Sequence, residues 1–512
     1  MHLAPIILAL SPLAALQDAA NDSFTIRVQF VHPEQQLREV LNLFEGTKAK
    51  HPAALLAAWR RATHNPDVLD KVTQAAIASL NPDMLREWSL LHHALGFWDS
   101  PQHWCAAIPN DDGTFAAFAT ALALTDGAEE APLAPIQARV DRLGKQGAPL
   151  LAQHQNQVVV ASSRAELLTG FRQLATPRAA PAENPAASGV HLQIKPGRLR
   201  PDSAPWLERL TKTLSALEID AAELQASIQN GRVQLVIDSP TQIEADHPID
   251  PAWLAIIPNN AAGAFSLSRD SRGQLLTALR KVFESLARNP ENPPPSPLKP
   301  CLESILIKDG QILWDSARWD ALRGSTGFVV TNHQAEFTAG ALVLHMADPQ
   351  AASDFAPRIA RVARQFIAGK PQNGPIPTPR DTPLDLGEFD SRPVRMFAKD
   401  AHILISWGDL DSRQLAARLT SPPDDWRNAL PSTALEPGAQ SLFLAWPGRL
   451  PIPGLPRDGI LARALAESPP VVARGGVQQG HWSERITWDG ARGFVQKLTE
   501  ILPQQPPENG SR

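Results

Sequence analysis

Histidine and cysteine side chains near residue 100 form the best candidate for a metal site. His92 and His93 precede His103 and Cys105, and imidazole and thiolate groups are ligands for zinc and other borderline-soft metals. Adjacent histidines point in different directions on a helix, and the spacing matches no standard zinc motif. We therefore expect His92, His103 and Cys105 to be ordinary helix-end and strand residues, with a metal site as the alternative. No cofactor is predicted.

Two acidic segments offer oxygen ligands. Asp409-Leu410-Asp411-Ser412 follows a predicted strand and opens a predicted helix, and Asn110-Asp111-Asp112-Gly113-Thr114 lies between apolar strands. A calcium loop would also need a bidentate Glu and further oxygens at set spacing downstream. We predict a helix N-cap for the first segment and a turn for the second, with calcium binding as the alternative.

Recognisable catalytic motifs are missing from the sequence. It contains no G-x-S-x-G, P-loop, G-x-G-x-x-G or H-E-x-x-H pattern. Two Cys and no Tyr exclude a Cys₄ zinc site, a cysteine-ligated iron–sulfur cluster and any tyrosine acid or base. Catalytic triads are recognised by geometry rather than by spacing, so an enzyme is not excluded. Because no catalytic motif is recognisable, we favour a protein without catalytic activity.

Charge gives limited information about partners. The formal net charge is −5, which provides no general electrostatic footprint for nucleic acid. Arg139, Arg142, Arg361 and Arg364 are expected on two corresponding helices at i and i+3. Such stripes could meet an anionic partner or a lipid headgroup, although they also suit the solvated face of an amphipathic helix.

The amino terminus has the pattern of an export signal. Residues 3–16 form an apolar run of fourteen residues, a length typical of a signal-peptide core and too short to cross a bilayer. We predict cleavage between Gln17 and Ala20 and an extracytoplasmic location, either periplasmic or secreted; a buried first element of the fold is the alternative. No other segment is a transmembrane candidate. In an oxidising compartment Cys105 and Cys301 could form a disulfide or remain two separate thiols.

Proline-rich and polar stretches divide the sequence at residues 176–188, 289–300, 370–383 and 503–512, because stretches so rich in proline cannot hold a helix or a central strand. They predict the following segments: a signal peptide at 1–20, a mainly helical region at 21–97, a first α+β repeat unit at 98–175, a middle α+β unit with a degenerate repeat at 189–288, a second long α+β repeat unit at 301–420, a C-terminal α+β closing segment at 421–502 and a disordered tail at 503–512.

Hydrophobic periodicity predicts helices near the amino terminus. Leu37, Val40, Leu41 and Phe44 keep the three-to-four spacing of one buried helix face. Further helices are predicted at residues 69–80 and 84–95, each after an Asn-Pro-Asp start.

An internal repeat is the most informative pattern. Residues 115–142 and 337–364 align without a gap at an offset of 222, with eleven of 28 positions identical, which favours a duplication. A strand pair and a helix follow each copy, at 150–174 and at 395–419. A third hairpin is predicted at 253–268, with its helix at 273–287.

The sequence predicts an α+β fold in which a helical amino-terminal segment is followed by duplicated hairpin–helix–hairpin–helix units. The units are expected to form mostly antiparallel sheets with helices packed on one face. The hairpin–helix segments at 108–142, 257–287 and 329–364 resemble those of uncharacterised bacterial envelope proteins of unknown function. The resemblance implies an extracytoplasmic setting and no known activity.

Three functions are compatible with these observations. We favour a non-catalytic exported protein, a binding or structural component of the cell envelope, with an unknown envelope partner or an apolar or anionic ligand. The first alternative is an exported hydrolase whose site is assembled from distant residues, for example His92 or His103 with a carboxylate. The second is a carrier of lipid or lipopeptide, which predicts an apolar cavity.

Overall fold

The computed structural model describes most of the chain between residues 26 and 502. The described residues are 26–63, 95–100, 103–109, 128–143, 149–155, 157–175, 189–194, 222–240, 247–268, 307–308, 311–312, 324–333, 336–368, 382–389, 391–423, 426–450, 459–478 and 480–502.

These ranges contain nine α-helices and one 3₁₀ helix, Trp426–Ala429. The α-helices are α1 (Pro33–Asn42), α2 (Pro52–Thr63), α3 (Arg164–Ala175), α4 (Pro251–Leu254), α5 (Pro349–Ala368), α6 (Ser412–Thr420), α7 (Ser432–Leu435), α8 (Ile460–Leu465) and α9 (Ala491–Ile501).

The same ranges contain twenty-one strands. They are β1 (Ile26–Val31), β2 (Leu95–Ser100), β3 (His103–Pro109), β4 (Glu129–Leu133), β5 (Ala138–Arg142), β6 (Leu150–His154), β7 (Gln157–Ala161), β8 (Gly189–Ile194), β9 (Ala222–Gln229), β10 (Arg232–Pro240), β11 (Ala261–Leu267), β12 (Ile307–Lys308), β13 (Gln311–Ile312), β14 (Thr326–His333), β15 (Glu336–His345), β16 (Leu384–Phe389), β17 (Arg392–Lys399), β18 (His402–Trp407), β19 (Ser441–Ala445), β20 (Val471–Gln478) and β21 (His481–Trp488).

The predicted α+β class is confirmed, since large antiparallel ladders are combined with separate helices. The chain forms two compact units. The first consists of residues 1–215, 219–237 and 489–512, and the second of residues 216–218 and 238–488. The first unit is therefore discontinuous in sequence, and its last helix, α9, follows the whole of the second unit.

The first unit is built on a ladder in the order β10-β9-β8-β1-β2-β3-β7-β6-β5-β4. Its hairpins follow ordinary turn chemistry. Asn230 and Gly231, both with positive φ, form the two-residue connection between β9 and β10, a pair of residues that favours a type I′ turn. Helix α1 lies next to this hairpin, where Gln36 accepts a hydrogen bond from the backbone of Ile228 at 2.9 Å.

The core of the first unit lies between α3 and the strands β3 and β7. The β7 residues Val158, Val159, Val160 and Ala161 are buried, as expected for a central strand. Gly170 of α3 sits directly on the side chain of Val159, where a Cβ atom would overlap the valine methyl group. The helix can approach the sheet this closely because the residue has no side chain.

The second unit has a ladder in the order β16-β17-β18-β15-β14-β11-β19-β20-β21. Nine neighbouring strands of the first ladder, from β5 to β10, correspond one to one to the nine strands of the second ladder, from β16 to β21. In both sets of nine, the strands also occur in the same order along the chain. The observed strand pairs within the second ladder are antiparallel.

The ladder of the second unit forms a sheet that we call the second sheet. Side chains on both faces of the second sheet are buried against helices. One core cluster contains Ala352, Phe355 and Ala360 of α5 with Met396 and Ile403 of the sheet; the surface of the sheet to which they belong is called the α5 face. The other cluster joins α4, α6 and α7 to alternate residues of the same strands, and defines the α6 face: Val343, Phe397 and Leu404. Successive strand residues point to opposite faces of a sheet, so the two clusters lie on opposite faces. Helices therefore pack on both faces of the second sheet and not only on the one face that the sequence predicts.

The secondary structure of the predicted repeat differs between its copies. At the offset of 222, residues 138–142 form strand β5, whereas residues 360–364 belong to helix α5. The segment 253–268 was expected to be a hairpin, but it consists of the end of α4, a turn and strand β11. By contrast, the predicted strand pair followed by a helix is present in both units, as β6–β7–α3 and β17–β18–α6.

Near the amino terminus, Leu37, Val40 and Leu41 lie in α1, and Phe44 follows it as a buried residue. The helices predicted at 69–80 and 84–95 fall outside the described residues, except that Leu95 begins β2. The signal segment at 1–20, Cys301 and the tail at 503–512 also lie outside them. No helix in the described part of the chain is long and apolar enough to cross a membrane.

Candidate functional site

Three phenylalanines form a row across the centre of the second sheet. Phe265 of β11 is the register partner of Phe328 on β14 and of Phe443 on β19. The ring centroids of Phe265 and Phe328 are 5.7 Å apart, with an interplanar angle of 35°. We refer to Phe265, Phe328 and Phe443 as the phenylalanine row.

The phenylalanine row lies on the α5 face but outside the part that α5 covers. Phe328 pairs with Leu342, and Leu342 pairs with Ile405; both of these aliphatic residues pack against the α5 cluster. In contrast, Phe328 and Phe443 are each 40% exposed. The α5 face is therefore buried at one end and presents aromatic rings to solvent at the other.

Uncharged side chains surround the row. On β11, β14 and β19, the residues that share its face by alternation are Gly263, Leu267, Thr326, Val330, Ser441 and Ala445. No charged side chain lies on this part of the α5 face among the described residues of the three strands. The opposite side of the same strands is packed into the α6 cluster through Ala264, Val329, Leu442 and Leu444, which fixes the orientation of the rings.

Glu484 on β21 belongs to the next row of the α5 face, opposite Gly475 of β20. Burial raises the pKa of this carboxyl group, and a hydrogen bond involving Trp482 lowers it in part. The raised pKa reflects the same apolar environment, which disfavours a charge.

Two polar clefts in the described structure carry balanced charges. One, of about 280 Å³, is lined by Pro383, Asp385, Arg395, Asp411 and Arg413. The other, of about 330 Å³, lies in the first unit and is lined by residues 229–232, Gln234 and Asp489, of which Arg232 and Asp489 form an ion pair. In both clefts arginine and aspartate lie together, so neither has a clear preference for an anion or a cation.

Two of the three candidate metal ligands, His103 and Cys105, lie in the part of the chain that the structure describes. His103 and Cys105 both lie in β3, and Cys105 is fully buried. His92 lies outside the described residues. The part of the chain that the structure describes contains no group of three potential metal ligands. The expectation that His92, His103 and Cys105 are ordinary helix-end and strand residues, with a metal site as the alternative, stays a prediction.

The predicted helix cap at Asp411 is present, and a second cap is found at Asp348. The Asp411 carboxylate accepts a hydrogen bond from the backbone N–H of Arg413 at 2.8 Å, at the start of α6. Asp348 accepts one from Ala351 at 2.7 Å, at the start of α5. These carboxylates satisfy helix N–H groups, in agreement with the expected capping role. The segment 110–114 lies outside the described residues.

The prediction of two matching arginine helices is wrong. Arg139 and Arg142 lie on strand β5, whereas Arg361 and Arg364 lie on helix α5. Arg139 is paired with Asp141 at 3.0 Å and Arg142 with Glu130 at 2.7 Å. The gap-free alignment transferred the helical periodicity of the second copy to a segment that forms a hairpin.

Sequence reasoning missed the phenylalanine row. Phe265 and Phe443 are 178 positions apart in the sequence, and they become neighbours because β11 lies between β14 and β19. Each phenylalanine stands singly in a short apolar strand, a pattern that is also typical of a buried core residue.

Comparison with known proteins finds only weak structural similarity. No family model matches the chain, and no curated protein matches it. Among solved structures, crystal forms I and III of a protein called TP0453 match with 9% and 11% sequence identity and TM-scores of 0.24 and 0.25. Each match covers 46% of this chain and, respectively, 79% and 81% of the other. At these values the similarity assigns neither a family nor a function.

Proposed function

We propose that this chain is a non-catalytic exported binding protein whose second unit binds the acyl chain of a lipid on the phenylalanine row. The observation that carries the proposal is the exposure of Phe328 and Phe443 among uncharged neighbours in the described parts of β11, β14 and β19. Contiguous apolar surface exposed to water commonly marks an interaction site.

The chemistry of the face favours an acyl chain over a protein partner. Protein interfaces combine an apolar centre with a polar rim and about one hydrogen bond per 100–200 Å². Around the phenylalanine row the strands offer aliphatic, glycine, serine and threonine side chains, and the central strands β11, β14 and β19 are each paired on both sides. An aliphatic chain needs no hydrogen bonds, so it suits this surface.

The size of the interaction can be estimated from the exposure. A phenylalanine side chain buries about 200 Å² when fully covered, so a ring that is 40% exposed leaves about 80 Å² accessible. At about 25 cal/mol per Å², covering one ring contributes about 2 kcal/mol. Loss of one ring should then weaken binding by about 30-fold.

The test is a titration of the purified full-length protein with a fluorescent long-chain fatty acid, with oleate as competitor. We expect saturable binding that Phe328→Thr and Phe443→Thr each weaken by about 30-fold, because threonine keeps the strand preference and removes the ring. Phe389→Thr is the matched control: Phe389 is 42% exposed but lies on β16, outside the row. Absence of binding by the wild-type protein, or equal losses in all three variants, would refute the proposal.

Export rests on a separate observation, the apolar run at residues 3–16, which is followed by the predicted cleavage segment from Gln17 to Ala20. Mass spectrometry of the protein from its own host tests this part independently. A chain beginning near Asp18 is expected, and a chain that retains Met1 contradicts export without affecting the binding result.

A further inference from the structure

Two histidines are stacked at one end of the second sheet. His345, the last residue of β15, is the register partner of His402, the first residue of β18. Their ring centroids are 4.3 Å apart, and the ring planes are inclined by 30°. Both lie on the α6 face, since each is two positions from a member of that cluster, Val343 or Leu404. The phenylalanine row is on the opposite face.

The surrounding backbone holds the pair closely. Gly324 has a φ of +63° and lies against the imidazole of His345, where a Cβ atom would overlap Nδ1. The next residue, Ser325, is buried and accepts a hydrogen bond from the backbone N–H of Asp250 at 2.7 Å. Asp250 in turn caps α4 by accepting a hydrogen bond from Ala252 at 2.9 Å. The histidine pair is thus connected to the start of α4 and to the α6 cluster.

Few charges compensate a proton on this pair. Burial lowers the pKa of His345, which Asp250 raises in part. Burial, with the neighbouring His345 as a second cause, lowers the pKa of His402 to about 4, against smaller opposing effects of Asp250 and Asp400. Lys399, the register partner of His402 on β17, is exposed and carries the same sign of charge as a protonated imidazole. At neutral pH both rings are therefore uncharged.

We propose that the stacked pair of His345 and His402 is an acid-sensitive contact that loosens the second unit when it is protonated. Two imidazolium rings at this separation repel each other. Each proton would also place a charge in a partly buried site, where burial disfavours the charged form. The contact joins β15 and β18 to the segment that begins α4, so this end of the unit opens first.

The direction of the pH dependence follows from the lowered pKa. In the unfolded chain a histidine takes up a proton near pH 6.5, whereas folded His402 takes it up near pH 4. As the pH falls between these values the unfolded state binds more protons, so the unfolding equilibrium shifts toward the unfolded state. Below the folded pKa the difference is fully developed and the loss ends.

The test compares urea unfolding of the full-length protein between pH 7.5 and 4.5. In the wild type, His402 should raise the unfolding equilibrium constant of the second unit by roughly 70-fold over this range. His402→Gln should lose that contribution. His247→Gln is the matched control, because His247 is an exposed histidine of the same unit, and it should follow the wild-type curve. Coinciding curves for wild type and His402→Gln would overturn the proposal.

A direct titration covers the case in which His402→Gln fails to fold. NMR spectra of wild-type protein labelled with ¹³C-histidine report each imidazole separately. We expect the His402 signal to titrate near pH 4 and the His345 signal below the ordinary histidine midpoint. In spectra of His345→Gln the second signal is absent, and the His402 signal should move to higher pH because its neighbour no longer opposes the charge. If every histidine signal titrates near pH 6.5, the contact is not acid-sensitive and the proposal is wrong.

Discussion

Substitution of Gly340 by alanine should selectively destabilise the second unit. Gly340 on β15 is the register partner of Trp407 on β18, and the six-membered ring of Trp407 covers the glycine so closely that a Cβ atom would overlap it. Trp407 itself packs against the α5 cluster, which limits the space into which the indole can move.

The magnitude follows from two opposing effects. Inserting a methyl group into a packed site costs about 1–3 kcal/mol, whereas replacing glycine by alanine in a strand recovers about 0.5–1 kcal/mol of backbone entropy. We expect a net loss of about 1–2 kcal/mol in the free energy of unfolding. Trp407→Leu removes the obstructing ring, so the additional cost of Gly340→Ala should become small in that background.

The assay is equilibrium urea unfolding of the full-length protein, followed by circular dichroism. Because the chain has two units, the transition of the second unit must be assigned before a free energy is extracted. The four proteins of the double-mutant cycle should show a coupling energy of about 1 kcal/mol between the two positions. A Gly340→Ala protein as stable as the wild type, or a cycle without coupling, would refute the close packing on which the reasoning depends.

Three further predictions concern single substitutions, each measured by the same unfolding assay. Gly493→Ala should stabilise the protein by about 0.5–1 kcal/mol, since this exposed position in α9 has nothing within 4 Å of a new methyl group; a destabilised variant would contradict this. Asp348→Ala should cost about 1 kcal/mol and Asp348→Asn much less, because the amide oxygen can still cap α5; equal losses would argue against capping. Leu404→Ala should cost about 2–5 kcal/mol, since this side chain is fully buried in the α6 cluster, and a loss below 1 kcal/mol would show that the cluster is poorly packed.

Local signals in the sequence predicted the elements that depend on neighbouring residues. The strand pairs and helices at 150–174 and 395–419 have alternating apolar residues followed by helical periodicity, and both match the structure. The sequence predicts Asp411 as a cap because a carboxylate before a helical segment has few other local roles. Such features need no knowledge of distant contacts.

The remaining features depend on register between distant strands. The contact of His345 with His402 and the alignment of Phe265 with Phe443 are set by which strands pair and where each pairing begins. A one-residue slip would move each of these side chains to the other face. The misplacement of Arg139 and Arg142 has another origin. The alignment of sequence identities matched the segment of β5 to helix α5, whereas the order of the strands in the two ladders makes β16 the counterpart of β5.

The division of the first unit along the chain has a consequence for its biosynthesis. Helix α9 belongs to this unit, yet it follows the complete second unit in the sequence, and its residue Arg492 lies against the turn at Gly231. During translation, the second unit has all of its strands as soon as residue 488 has emerged, whereas the first must wait for residues 491–501. Domains generally fold in the order in which they are synthesised. Here that order is reversed at the final step, so nascent chains that stall before α9 would carry a folded second unit and an unfinished first one.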